Sequence, residues 1–206
     1  MGRGVIIRGL WSAGMLVWYF VFLWRVRIPR NEAAAVAVAA MVGGYFCGRF
    51  LGGYHSTAAF VGAILGGFAW LAVRRRLESW TQILEAGSFA LPFAWVLVRL
   101  GCVVERGHPG LETDAWFGLM YPDGSTRWDL ALLEMLWALA MAIVFARRHL
   151  LYAAWLPGSL ALFRLCVMPL QTGSPDFLGP AMLAGWCGFV VWIRQRPGLI
   201  STSTKF

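Results

Sequence analysis

Residues 89–98, FALPFAWVLV, hold no charged side chain, and at Val98 they run into VRLGCVVERGHPG, residues 98–110. So apolar a run reads as part of a membrane-spanning helix, and Arg99 at its end is a permanent cation in a place where charge is costly. The rest of the chain has the same character. Of its 206 residues, 59% are hydrophobic and 14% charged, and the mean hydropathy is +0.64. A soluble domain carries about 25% charged residues, so this chain lacks the polar side chains to cover a water-facing surface. Twelve Trp and fourteen Phe fit the same class, because Trp favours the headgroup level of a bilayer. The fold class expected is an all-α integral membrane protein.

A spanning helix needs about 20 mostly apolar residues. Seven runs qualify: 5–24, 33–50, 57–73, 80–103, 129–146, 150–168 and 177–193. Several are short or carry Gly, which is tolerable where helices pack closely. The break at 104–128 contains Pro109, Gly110, Pro122, Asp123 and Gly124 and reads as a loop with turns. No polar linker marks a second domain, so residues 1–206 read as one transmembrane domain. Basic residues cluster after the first, third and fifth runs, at Arg25, Arg27 and Arg30, at Arg74, Arg75 and Arg76, and at Arg147 and Arg148, and again in the tail at Arg194, Arg196 and Lys205. Positive loops stay cytoplasmic. The seven transmembrane helices are therefore expected with the N-terminus outside, the C-terminus cytoplasmic and loop 104–128 extracytoplasmic. Arg3 and Arg8 go against that orientation.

A net charge of +8 raises the possibility of nucleic acid. The clustering between apolar runs and the lack of a recognition helix or stacking motif argue against it. Cys47, Cys102, Cys166 and Cys187 show no CxxC spacing and read as packing residues. The first apolar stretch is long and lacks a small-residue cleavage site, so no cleavable signal peptide is expected.

Charges inside spans mark function or pairing. Arg49 ends the second run, His55 stands in the link after it, Glu85 lies within the fourth run, Arg99 near its other end, Glu134 in the fifth and Arg164 in the sixth. On the expected topology Arg49, His55, Arg99, Glu134 and Arg164 share the outer level of the membrane. Three guanidinium groups there make a site for an anion held in fork geometry. At that depth the obvious anion is the phosphate of a lipid headgroup. Glu134 also reads as a structural partner for Arg99, and Glu105, Arg106, Glu112 and Asp114 as a solvated loop face.

These stretches resemble motifs of the bacterial prolipoprotein diacylglyceryl transferases. Arg99, Gly101, Cys102 and Gly110 of VRLGCVVERGHPG match the family signature, with Glu85 on its upstream acidic residue. GYHSTAAFVGAILGGFAWLAVRRR resembles the stretch carrying the family's histidine, here His55, and CGRF places Arg49. WFGLMYPDGSTRWDLALLE resembles the segment leading to the family's Arg-His-Pro-Thr-Gln-Leu-Tyr-Glu, through Arg127, Leu132 and Glu134. ALFRLCVMP places Arg164. The resemblance covers roughly residues 36 to 193. Trp128, Asp129, Leu130, Ala131 and Leu133 depart from it, as do Leu160 and Met168 on either side of Arg164.

The resemblance implies a multi-pass enzyme of the bacterial cytoplasmic (inner) membrane. It would transfer the diacylglyceryl group of phosphatidylglycerol, or a similar anionic phospholipid, to the lipobox cysteine thiol of a prolipoprotein. It makes His55, Arg99, Arg164 and Glu134 catalytic and Arg49, Glu85, Gly101 and Gly110 substrate-binding, with no cofactor and no metal. In these roles Arg99 and Arg164 meet the phosphate, His55 takes the thiol proton, and the two glutamates orient the arginines. The alternatives are a non-catalytic phospholipid-binding relative or a transferase with another acceptor. A transporter is less well supported, because no internal repeat is evident.

Overall fold

The structure is a computed structural model that describes residues 3–47, 56–75, 79–148, 151–172 and 185, with no side-chain description for 3 and 56–61. It is mostly helical. The elements in order are α1 (Arg3–Arg25), α2 (Arg30–Phe46), α3 (Ser56–Val73), α4 (Trp80–Glu105), β1 (Pro109–Glu112), β2 (Leu119–Met120), β3 (Thr126–Asp129), α5 (Leu130–Arg147) and α6 (Tyr152–Val167), closed by a 3-10 turn at Met168–Leu170. Among the described residues, four helical segments are long and apolar enough to cross a membrane: Gly4–Arg25, Trp80–Glu105, Leu130–Arg147 and Tyr152–Leu170. Gly62–Val73 of α3 is a shorter apolar stretch. Apart from residue 185, the run at 177–193 lies outside the described residues.

The contacts divide the chain into two compact units. One comprises Met1–Gly14 and Pro92–Phe206, the other Met15–Leu91. One boundary falls at Pro92, buried in the interior of α4. A proline there has no N–H to complete the helical ladder.

The second unit is built on close packing of α2 against α3. Added Cβ atoms at Gly43 and Gly62 would each strike the other's carbonyl oxygen, and one at Gly66 would strike the Ala39 carbonyl. Ala39 and Gly43 lie one turn apart on α2, as do Gly62 and Gly66 on α3. This small-residue spacing lets apolar helices approach without a hydrophobic driving force between them. Phe22, Val36, Leu71 and Ile83 complete its core, and Trp18 stacks on Phe22 with ring centroids 5.2 Å apart.

In the first unit, Gly14 of α1 lies against Ala94 and Val98 of α4. Phe145 of α5 meets Tyr152 of α6 at 4.9 Å. Large apolar side chains on the far side of α5, Leu136, Leu139 and Ile143, are exposed.

The segment 104–128 departs from the expected loop. It contributes to a three-stranded antiparallel sheet in the order β1-β3-β2. The Tyr121-Pro122-Asp123-Gly124 turn explains the hairpin. The Gly124 N–H donates to the Tyr121 carbonyl at 3.0 Å, and the Tyr121 N–H donates to the Ser125 carbonyl at 2.9 Å. Pro122 suits the first corner, and Gly124 takes a left-handed φ of 83°. The strands are too short for alternation to reveal them. β3 passes into α5 without a loop, because Asp129 ends the strand and caps the helix, its side chain accepting from the Leu132 N–H at 2.9 Å.

Candidate functional site

Three helices of the first unit each bring one charged side chain to a common point. Arg99 lies near the end of α4, Glu134 just inside the start of α5, and Arg164 in the last turn of α6. The Glu134 carboxylate bridges the two arginines. Its Oε2 lies 2.6 Å from an Arg99 terminal nitrogen and its Oε1 2.6 Å from one of Arg164. Two cations and one anion leave a formal charge of +1. Arg99 and Glu134 are buried, at 6% and 4% exposure, while the Arg164 side chain keeps 33% of its surface open. A buried charge must be paired or neutralised, and here the pairing is incomplete.

Arg99 has donors left over. Its Nε is buried and has no hydrogen-bond partner among the described residues. The guanidinium lies over the Trp95 ring, 5.1 Å from its centroid. Its second terminal nitrogen lies 3.9 Å from Cys102 Sγ and 3.4 Å from His108 Nε2. The indole nitrogens of Trp95 and Trp137 are also buried donors without partners among the described residues. The surplus donors of Arg99 beside an excess positive charge favour an anion.

His108 carried no role in the sequence reading. The end of α4 brings it to Arg99. Arg106 takes a left-handed φ of 58°. The Arg106 N–H donates to the Val103 carbonyl at 3.3 Å and the Gly107 N–H to that of Cys102 at 3.4 Å. This is a Schellman ending with arginine at the position glycine usually takes, and it turns the chain back along the helix. The His108 carbonyl then accepts from the Leu130 N–H at 3.1 Å, fixing it to the first residue of α5. His108 as a residue is exposed. Partial removal from water, then the nearby Arg99 charge, hold its pKa below the usual histidine value.

Arg106 departs from the expected solvated face. Its guanidinium lies 3.6 Å from Asp129 Oδ2, and the Asp129 side chain is fully buried. The Tyr121 hydroxyl donates to the same oxygen at 3.0 Å. Burial, then the Asp129 charge, raises the Tyr121 pKa. This cluster ties the hairpin to the ends of α4 and α5. Arg127 joins an exposed network, 2.8 Å from Glu112 and 3.3 Å from Asp123.

The remaining expected site residues are Arg49, His55, Glu85, Gly101 and Gly110. Arg49 and His55 fall outside the described residues. Glu85 is half-buried on α4 in the other compact unit. Gly101 and Gly110 both have packing roles. A Cβ on Gly101 would press on the Trp11 indole at 2.9 Å, and one on Gly110 would meet the backbone carbonyl oxygens of Leu170 at 2.7 Å and Trp128 at 2.9 Å. Among the described residues no three His, Cys, Asp or Glu side chains gather as a metal set. No protein-family model matches the chain, and no curated protein matches it.

Proposed function

We propose that the chain is a seven-span integral membrane protein of the bacterial inner membrane, N-terminus outside and C-terminus cytoplasmic, whose Arg99–Glu134–Arg164 cluster receives the phosphate of an anionic phospholipid. The reading extends to chemistry of the diacylglyceryl transferase type. The observation that carries it is the meeting of two guanidinium groups from separate helices on one buried carboxylate, with charge and donors to spare.

In that chemistry the sulfur of an acceptor cysteine bonds to the glycerol carbon. The carbon–oxygen bond to phosphate breaks, its electron pair leaves with glycerol phosphate, and a base takes the thiol proton. Arg99 and Arg164 stabilise negative charge growing on the leaving phosphate, while Glu134 holds the two arginines in register. His55 remains the candidate base. A second reading, lipid binding without turnover, is favoured by Leu160 and Met168, which offer Arg164 no side-chain hydrogen bond where the family has Tyr and Glu.

Purified protein incubated with phosphatidylglycerol and a lipobox peptide tests both. Lipidated peptide with released glycerol phosphate supports the transferase, and bound lipid without product supports the second reading. Exchanging the peptide for other thiols tests the choice of acceptor. Arg99→Ala and Arg164→Ala abolish either behaviour, whereas His55→Ala stops turnover and spares binding. Wild-type behaviour of both arginine variants refutes the site.

A further inference from the structure

His108 has no part in the chemistry above, yet both its backbone and its ring are held at the site. Its carbonyl receives the Leu130 N–H, and its Nε2 lies 3.4 Å from an Arg99 terminal nitrogen. A guanidinium only donates, so in this contact Nε2 acts as the acceptor of a neutral imidazole. The charged groups that act on it are Arg99 on α4, Glu134 on α5, Asp129 at the end of β3 and Arg164 on α6.

We propose that His108 is a third, proton-dependent contact of this anion site: when a phosphodiester settles on Arg99 and Arg164, Nε2 leaves Arg99, takes up a proton from solvent and donates it to a phosphate oxygen. The proposal rests on the reading of the cluster as a phosphate site. Its basis is geometric. Any anion that engages the terminal nitrogen of Arg99 beside His108 comes within reach of Nε2, and the exposure of His108 gives the proton a route from water. The Arg99 charge opposes protonation. A bound anion offsets that charge and supplies an acceptor for the new N–H, so the proton affinity of the ring rises.

The direction of the pH effect follows by linkage. Binding takes up a proton between the lower pKa of the empty site and the higher one of the filled site. Affinity therefore strengthens as pH falls through that window and levels off on either side. The slope inside it approaches about tenfold per pH unit for one proton.

The test uses the full chain in detergent and short-chain phosphatidylglycerol, whose phosphodiester stays singly charged throughout. Calorimetry from about pH 5 to about pH 8, in buffers of different ionisation enthalpy, reads affinity and proton uptake together. The expected result is tighter binding at lower pH with uptake approaching one proton. His108→Gln keeps a neutral acceptor and binds with no slope and no uptake. A flat wild-type profile, or an unchanged slope in His108→Gln, overturns the proposal. The histidine carbon NMR titration of the wild type gives the same answer without substitution: the His108 midpoint rises when lipid is added, and an unmoved midpoint is a refutation. Glycerophosphoglycerol, the same diester without acyl chains, separates a lipid ligand from a soluble one; equal binding with the same slope makes the ligand soluble and upholds the role of His108. If Arg164→Ala binds lipid as wild type does, the phosphate reading itself fails. If Arg164→Ala loses binding while His108→Gln retains the slope, only the role of His108 fails.

Discussion

Replacing Glu134 by glutamine removes the one anion between two guanidinium groups and raises the local formal charge from +1 to +2. The amide keeps a single oxygen to accept with, and its NH2 group faces the other arginine as donor against donor. Breaking a buried ion pair from one side costs about 3–5 kcal/mol, because the stranded charge stays out of water. The Arg99 link qualifies for that cost, with side chains 7% and 5% exposed. The Arg164 link adds little, since a side chain 33% exposed can recover water. A loss of about 3 kcal/mol is therefore expected for Glu134→Gln. At about 2–4 °C per kcal/mol for a chain of this size, that is a fall of roughly 6–12 °C in the unfolding midpoint in detergent. Arg99→Met costs less, because Glu134 keeps Arg164. The double variant Arg99→Met/Glu134→Leu recovers at least about 1 kcal/mol relative to the sum of its single changes, the sign of direct coupling. A midpoint for Glu134→Gln within about 2 °C of wild type, or strictly additive single changes, refutes the view that these three side chains form one electrostatic unit.

Asp129 accepts from the Leu132 N–H and the Tyr121 hydroxyl and lies 3.6 Å from the Arg106 guanidinium, so Asp129→Ala should cost about 3 kcal/mol, more than the roughly 1 kcal/mol of an ordinary cap; Tyr121→Phe should cost about half as much, and amide exchange at the start of α5 reads both. Gly62→Val must push α2 from α3 against the Gly43 backbone, and overpacking of this kind costs about 1–3 kcal/mol; an unchanged thermal midpoint contradicts the close approach. The Asp123 carboxylate accepts from the Ser125 hydroxyl at 2.6 Å and its N–H at 3.0 Å. These bonds hold its pKa below the usual value, so its support for the hairpin is complete above the ordinary carboxylate range and lost as pH falls through the lowered value. A carbon NMR titration should place its midpoint below about 3.9, and Ser125→Ala should move it back up; no movement contradicts the assignment.

The long helices were legible because an apolar run of about 20 residues has few alternatives. The observed α4 ends at Glu105 and α5 begins at Leu130, each within two residues of the expected bounds. Short strands escaped notice because β2 is two residues long and β1 carries a register shift between Pro109 and Glu112. Arg99, Glu134 and Arg164 stood out because charge in an apolar run is costly wherever it points. That one carboxylate bridges both arginines is a fact of tertiary geometry. Arg106 looked solvated because a helix ending in the left-handed conformation usually announces itself by glycine, and here arginine occupies it. His108 was hidden by the same turn, since only the reversal at Arg106 brings a loop histidine back to Arg99.

The most direct test of the central claim is native mass spectrometry of delipidated protein titrated with phosphatidylglycerol, run beside Arg99→Ala and Arg164→Ala. One lipid retained by the wild type and lost by at least about tenfold in each variant is the predicted result. Equal retention by all three proteins would contradict a phosphate held between these two arginines.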